Sequence, residues 1–247
     1  MAMLRLENVS KIYDNGTEAL KGVTFTVGPG EFVAVLGASG SGKSTLLRCI
    51  NRLVEPTGGK IFLGDDEITG ANPTALRLLR AKIGMIFQQY NLVNRLTVWT
   101  NAMTGYLGVL PSWMGLAGYF PRASIDRARV ELERVGVADK SNGRAGQLSG
   151  GQQQRVGIAR ALMQDPQLIL ADEPVSSLDP ASAKNIMELL MEINQIKGVS
   201  IICNLHLPEL AREYAQRLLV LSEGKIVFDG TPSQLKSSML ESFYKPS

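Results

Sequence analysis

The stretch GASGSGKST, residues 37–45, indicates the fold class of this chain. It fits the pattern G-x-x-x-x-G-K-[ST], with an apolar strand-like run before it (Phe32 to Leu36) and a helical pattern after it, as a phosphate-binding loop requires. Glycines let the backbone curl around phosphate groups with its N–H groups pointing inward, and the following helix dipole adds to the attraction. We expect Lys43 to reach the β- and γ-phosphates and the Ser44 hydroxyl to bind Mg²⁺. The predicted nucleotide-binding residues are Gly37, Ala38, Ser39, Gly40, Ser41, Gly42, Lys43, Ser44 and Thr45.

A second feature related to phosphate chemistry is the apolar run Leu168 to Ala171, which opens directly onto Asp172 and Glu173. A buried strand that ends in two acids suits a site where Asp172 holds Mg²⁺ and Glu173 orients and deprotonates an attacking water. The alternative is a pair of solvated acids that merely cap the strand. The uninterrupted apolar run in front of them favours the catalytic interpretation.

Length and composition limit the classes of protein to consider. With 247 residues the chain can bury a substantial core, either as one large α/β domain or as a domain with a sizeable insertion. A formal charge of +3 is too small and too scattered for a nucleic-acid-binding surface. Cys49 and Cys203 lie in apolar periodic segments, as expected of buried, reduced thiols. The first residues, MAMLRLENVSKIYDNG, lack the apolar core of a signal peptide, so we expect a cytosolic location.

Hydrophobic periodicity divides the chain into an α/β core and a helical insertion. Residues 3–9 and 22–27 alternate apolar and polar positions, which predicts an antiparallel sheet before the loop. From Gln88 to about Arg160 the strand patterns give way to helical ones. We predict an α/β P-loop core with an antiparallel β subdomain (residues 1–87 and 161–247) and a helical insertion (88–160), within a single domain of residues 1–247. Strands of a parallel sheet are expected at Ile83 to Phe87, Leu168 to Asp172, Val199 to Cys203 and Arg217 to Leu221.

Spacing and stop signals also predict individual helices and hairpins. Leu46 to Val54 is one helix, ended by the Pro56-Thr57-Gly58-Gly59 turn. Another is expected to end at Gly136, a third over Gln152 to Met163, and a short one to begin at Pro232. Hairpins are expected at Lys60 to Ile68 and Leu218 to Asp229. One further helix, stopped by Gly198, is expected to bury a face formed by Ile186, Leu189, Leu190, Ile193 and Ile196.

The segment Ala102 to Phe120 contains no charged residue, and its length alone would permit a membrane span. Its glycines and Pro111 interrupt it, however, and strong flanking charge is missing. We interpret it as a short helix, a turn at Pro111 and a second apolar piece that together lie at a protein interface.

The pentapeptide LSGGQ, residues 148–152, adds the feature that identifies a family. Alone it is compatible with a polar turn that begins a helix, or with an anion site made of a hydroxyl and backbone donors. Together with the phosphate loop and the acidic strand end, it makes essentially the whole chain resemble the nucleotide-binding subunit of ABC transporters. The resemblance implies that this signature closes over the γ-phosphate of ATP bound by a second copy, so that two subunits share two ATP molecules. The signature residues are Leu148, Ser149, Gly150, Gly151 and Gln152.

Two further residues resemble parts of the family's ATP site. Tyr13 resembles the aromatic residue that stacks on adenine, although a core tyrosine at a strand end is an alternative. Gln88 resembles the glutamine that contacts Mg²⁺ and the attacking water, with Gln89 as the alternative. The resemblance therefore implies that Mg²⁺ is bound by Ser44, Gln88 and Asp172.

A short segment after Glu173 and the chain's single histidine also resemble parts of the family's nucleotide site. Ser177 and Asp179 resemble the loop that crosses to the partner subunit, while Asp179 also suits a helix cap before Pro180. His206 resembles the histidine that bonds the γ-phosphate, with a structural histidine as the alternative. The resemblance implies an ATPase whose catalytic residues are Glu173, His206 and Gln88.

The residue after His206 differs from the pattern common in import ATPases, and this difference indicates a subfamily. Leu207 stands where import ATPases commonly place an acid directly after the histidine. The Asn204-Leu205-His206 pattern, with FQQYNLVNRLTV (87–98) and VFDGTP (227–232), resembles the ATPase subunit of phosphonate importers. Phosphite or phosphate-ester importers would look much the same. The resemblance implies the cofactors ATP and Mg²⁺, a second copy and transmembrane permease subunits as partners, indirectly a substrate-binding protein, and a place at the cytoplasmic face of the cell membrane.

Three other functions were weighed against phosphonate import. An ABC transporter ATPase for another cargo would carry the same signature and phosphate loop. A soluble ABC ATPase acting on nucleic acid or ribosomes usually has coiled-coil insertions, tandem ATPase domains or basic arms, and the sequence shows none. In a small P-loop kinase that transfers phosphate to a metabolite, LSGGQ would have no role in the chemistry. The sequence therefore predicts an ABC importer ATPase that does not bind nucleic acid.

Overall fold

The computed structural model describes residues 3–236 and Met239; residues 1–2, 237–238 and 240–247 of the predicted domain lie outside the described residues. In chain order the strands are β1 (Leu4–Ile12), β2 (Glu18–Val27), β3 (Phe32–Leu36), β4 (Gly58–Leu63), β5 (Asp66–Glu67), β6 (Ile83–Ile86), β7 (Leu168–Asp172), β8 (Ser200–Asn204), β9 (Arg217–Ser222) and β10 (Lys225–Gly230). The helices are α1 (Lys43–Ile50), α2 (Pro73–Ala81), α3 (Val98–Thr104), α4 (Ser112–Ala117), α5 (Arg122–Arg134), α6 (Gly150–Leu162), α7 (Pro180–Lys197) and α8 (Pro208–Tyr214).

Two sheets form the α/β part of the molecule. The first is antiparallel, in the order β2-β1-β4-β5, and its β1 buries Leu4 and Leu6 while Arg5 between them is exposed. The second has the order β10-β9-β3-β8-β7-β6, in which all neighbours are parallel except the β9–β10 hairpin. Both predicted sheets and both predicted hairpins are therefore confirmed.

The parallel sheet is covered on both faces, which explains why every residue of β3, β7 and β8 is buried. Val33 and Val35 of β3 face a core shared with the antiparallel sheet and α1. Ala34 and Leu36, on the opposite face, pack in a core shared with α6, α7 and the helical insertion. Because the carboxyl ends of parallel strands meet at one edge of the sheet, the segments after β3, β7 and β8 converge there.

Residues 88–160 contain α3, α4, α5 and all but the last two residues of α6, with short 3₁₀ turns and an isolated bridge between Thr97 and Arg144, as the helical patterns predicted. Ala128 and Leu132 of α5 are buried, and the chain turns at Gly136 with a φ of 70°. Pro111 directly precedes α4, which confirms the predicted break in the apolar segment. No helix in the described part of the chain is long and apolar enough to cross a membrane.

Two predicted details are wrong. Helix α1 ends at Ile50 and does not continue to Val54, because Arg52 adopts a left-handed φ of 51° and leaves Leu53 half exposed. Ile196 does not belong to the buried face of α7, since 64% of it is exposed. It lies in the last turn of α7, two residues before the C-cap Gly198.

Candidate active site

The loop between β3 and α1 has the geometry of a phosphate cradle. Gly37, Gly40 and Gly42 have φ values of 150°, 80° and 105°, which favour glycine. A Cβ on Gly37 would lie 2.2 Å from the Leu221 carbonyl oxygen, and one on Gly42 would lie 2.3 Å from that of Ala19. Only glycine fits at these two positions, so the loop packs tightly and presents its backbone.

The Lys43 side chain lies inside this loop. It is 4% exposed, and its Nζ donates to the carbonyl oxygens of Gly37 at 2.8 Å and Ala38 at 3.0 Å. Burial lowers the pKa of Lys43, and the nearby carboxylates of Glu173 and Asp172 oppose that shift. The ammonium group is thus held where it could donate hydrogen bonds to a phosphate in the loop instead of to the two carbonyl oxygens.

Asp172, at the end of β7, is the centre of a small polar cluster. Its Oδ1 accepts hydrogen bonds from Ser44 Oγ at 2.8 Å and from Asn204 Nδ2 at 2.9 Å, and Arg48 lies 3.8 Å from its Oδ2. A hydroxyl and a carboxylate oxygen so close together are the hard ligands that Mg²⁺ prefers, so these residues fit that ion. Gln88 is exposed on the turn after β6, and among the described residues it has no hydrogen bond to Ser44 or Asp172.

Glu173 follows Asp172 and faces the only histidine of the chain. His206 Nε2 lies 2.5 Å from Glu173 Oε1, although 33 positions separate the two residues in the chain. Glu173 adopts a left-handed φ of 52°, a conformation that costs about 1–3 kcal/mol in a non-glycine residue. The surrounding fold holds this backbone in place, and its side chain is 12% exposed. Backbone strain of this kind is common at functional sites.

A cavity of about 320 Å³ unites these groups. It is lined by Ser39, Gly40 and Gly42 to Thr45 of the loop and also by Tyr13, Glu173 and His206. Tyr13 is half-buried rather than part of the core; its hydroxyl lies 3.1 Å from Thr45 Oγ1, and the Lys11 ammonium lies 5.2 Å from its ring centre. The cavity therefore combines a phosphate cradle, a carboxylate, an imidazole and an aromatic wall.

The signature residues are not part of this cavity. Ser149 caps α6, and a reciprocal capping box joins Ser149 to Gln152, so the alternative of a helix-starting turn is correct as local structure. Ser149 is exposed, and with Gly151 and Gln152 it lines a separate cavity of about 120 Å³ beside α7. In this chain the signature residues and the phosphate loop therefore line separate cavities.

Asp179 likewise acts as a helix cap. Its carboxylate accepts from the Ser182 backbone N–H at 3.0 Å at the start of α7, and hydrogen bonding to Ser182 lowers the pKa of this carboxyl group. Ser177 is exposed beside it. Leu178, between the two, lines an apolar cavity of about 430 Å³ that adjoins Glu173 and His206.

Comparison with known proteins agrees with this geometry. A family model described as "ABC transporter" matches residues 20–176. The chain belongs to the ABC transporter ATP-binding family. The phosphonates import ATP-binding proteins PhnC 2 of Haloarcula marismortui and of a Synechococcus species are 50% and 51% identical to it, each over 98% of this chain and 90% of the relative. The solved cassette MJ0796, described as a dimeric post-hydrolysis state bound to ADP and Pi, has a TM-score of 0.81 at 35% identity and covers 93% of this chain and 99% of that chain.

Family membership confirms the predicted fold class, an ABC ATPase cassette with a P-loop sheet and an antiparallel β subdomain. It does not by itself explain two contacts that the sequence patterns missed. Arg160 of α6 donates to the carbonyl oxygens of Tyr90 at 2.8 Å and Asn91 at 2.5 Å, which ties the loop after Gln88 to the signature helix of this ABC ATPase. Asn204 donates to Asp172. Both contacts join residues distant in the chain, so only the sheet order and helix packing could have revealed them.

Proposed function

We propose that this chain is the ATP-hydrolysing subunit of an ABC importer that takes up phosphonates. The assignment of phosphonate as the cargo rests on the 50–51% identity to phosphonates import ATP-binding proteins over 98% of the chain. The observation that supports hydrolysis is the single cavity lined by the phosphate loop, Glu173 and His206. Phosphonate, rather than a related phosphorus oxyanion, is therefore the cargo we assign.

In this proposal the loop residues 37–45 hold the ATP phosphates, and Tyr13 stacks on adenine. Ser44 and Asp172 would hold Mg²⁺, and Gln88 would join them when nucleotide binds; the ion would supply positive charge that stabilises the phosphates. Glu173 accepts the proton of the attacking water. His206, whose Nε2 lies 2.5 Å from Glu173 Oε1, donates to the γ-phosphate once ATP is bound.

The separation of the signature from the phosphate loop supports a homodimer. Ser149 and the first N–H groups of α6 form an exposed anion-binding end that, in one described chain, has no phosphate cradle opposite it. A second copy facing the first would place each signature over the other's ATP, with Ser177 and Asp179 at the crossing. The dimeric cassette that resembles this chain supports this arrangement.

The helical insertion, residues 88–160, supports docking to a membrane subunit. A cavity of about 370 Å³ lies between it and the core, with Phe87 and Gly105 among its lining residues. Nearby, Leu107 and Trp113 are 41% and 63% exposed in a segment without charges. We propose that the region from Gln88 to Phe120 receives a short helix of the transmembrane permease. The ATPase would then work as a peripheral subunit at the cytoplasmic face, supplied indirectly by a substrate-binding protein.

Growth on a single phosphorus source tests the cargo. The gene is deleted in a host able to metabolise phosphonate, and growth and uptake are measured with a phosphonate or with phosphate as sole phosphorus source. Selective loss of phosphonate uptake, restored by the wild-type gene but not by its Glu173→Gln variant, is expected. Intact phosphonate uptake together with failure on another nutrient would refute the cargo and leave the ATPase assignment standing.

A further inference from the structure

Asn204 is a buried polar residue at the site that the proposed chemistry does not use. It ends β8 directly beside the end of β7, where Asp172 and Asn204 are paired in register. Its exposed fraction is 0%, and its Nδ2 donates to Asp172 Oδ1 at 2.9 Å. This asparagine also begins the Asn-Leu-His pattern that distinguishes the sequence.

The contribution of Asn204 to folding does not explain its presence. Its Oδ1 is buried and has no hydrogen-bond partner among the described residues, which is unfavourable for the folded state. A leucine of nearly the same shape would fill the space between β3 and β7 without that penalty. The amide is retained despite this penalty, and within the described part of the chain its N–H₂ group donates one hydrogen bond, to Asp172.

The pair of donors on Asp172 Oδ1 restrains the carboxylate. Ser44 approaches this oxygen from the phosphate loop and Asn204 from the neighbouring strand, so the two bonds fix the rotation of the carboxyl group. An amide is neutral and therefore orients the carboxylate without cancelling the negative charge that attracts a divalent cation. Groups that orient metal ligands in this way are a recurrent feature of metal sites.

We propose that Asn204 is a positioning residue for Mg²⁺: it holds Asp172 in the orientation that binds the ion beside Ser44. The inference rests on the proposed ATPase function, since it concerns the same Mg²⁺–ATP site. It adds a residue from β8 to a site otherwise built from the phosphate loop, β7 and Gln88 after β6.

The test compares Asn204→Leu with a matched control in the full-length protein. Asn204→Leu removes the hydrogen-bond donor at nearly constant side-chain volume. Asn204→Ser shortens the side chain, so that the donor no longer reaches Asp172, but keeps a small polar group. If the leucine variant does not fold, the serine variant provides the test. The control is Asn194→Leu. Asn194 is also buried, but its amide donates to the carbonyl oxygens of Gly30 at 2.9 Å and Val199 at 2.8 Å, at the opposite edge of the sheet.

Binding of a fluorescent ATP analogue is measured in EDTA and across a Mg²⁺ series, and ATP turnover is measured across the same series. In the Asn204 variants the Mg²⁺ concentration that gives half-maximal stimulation of nucleotide binding and of ATP turnover should rise about tenfold or more. Binding in EDTA should stay within about twofold of wild type, and turnover should recover as Mg²⁺ approaches saturation. Asn194→Leu should lower thermal stability but keep the wild-type Mg²⁺ dependence.

Wild-type Mg²⁺ dependence in an Asn204 variant would overturn the inference, and so would an equal shift in Asn194→Leu, which would assign the effect to general destabilisation. The wild-type protein distinguishes this failure from that of the proposed function. If it bound no nucleotide with or without Mg²⁺, the ATPase proposal itself would fall.

Discussion

Replacing Glu173 by glutamine tests the central step of the proposed chemistry. The substitution preserves the shape and volume of the side chain, and glutamine adopts the left-handed φ of 52° no less readily than glutamate. The amide can still hydrogen-bond to His206. What is lost is the ability to accept a proton and one negative charge in the cavity that Lys43 also lines.

These losses act on hydrolysis and on binding in opposite directions. General-base catalysis contributes about 10²–10⁴-fold to a rate, which corresponds to roughly 3–5 kcal/mol in the activation barrier. Turnover of Glu173→Gln should fall by that factor. ATP binding should be unchanged or tighter, because a carboxylate near the site of an anionic γ-phosphate has been removed. The variant should therefore accumulate as an ATP-bound dimer.

Three measurements decide the matter. They are ATP turnover at saturating Mg²⁺, affinity for ATP, and dimer formation with and without ATP by size-exclusion chromatography with light scattering. Glu188→Gln, which removes an equal charge from the exposed surface of α7, is the matched control and should behave as wild type. Turnover of Glu173→Gln within tenfold of wild type would remove Glu173 from the role of base. Loss of ATP binding would show that its role is structural.

Other expected outcomes concern docking, stability and thiol chemistry. Leu107→Glu and Trp113→Glu, both at exposed positions, should leave folding intact but uncouple ATP turnover from uptake in the reconstituted transporter; wild-type assembly and transport in both variants would refute the docking surface. Lys197→Met should lower the free energy of unfolding in urea by about 2 kcal/mol, because it leaves the buried Glu131 carboxylate, 2.7 Å from Lys197 Nζ, with fewer partners; an effect below about 0.5 kcal/mol would contradict this. Burial raises the pKa of the Cys49 thiol to about 12, so maleimide should label it at pH 8 only after unfolding; rapid labelling of the native protein would show that the site opens.

The sequence alone indicated the candidate phosphate-binding groups because each belongs to a short local pattern. The glycines and Lys43 are spaced for one loop, Asp172 and Glu173 end one apolar run, and Ser149 begins one helix. The parallel sheet was predictable for the same reason, since strands buried on both faces are continuously apolar. Local patterns also misled: the apolar spacing continued through Leu53, although Arg52 turns the chain away at a φ of 51°.

Only the tertiary structure decided how these local groups act together. Sheet order places β8 beside β7 and so brings Asn204 to Asp172 at 2.9 Å, and the packing of α6 brings Arg160 to the loop after Gln88. The sequence cannot give such contacts, because they depend on which strands are neighbours and not on the residues adjacent in the chain. The same limit applies to Ser149. The sequence around it predicts an anion site, but only the fold shows that it lies outside the phosphate-loop cavity, which is the observation behind our proposal of a second chain.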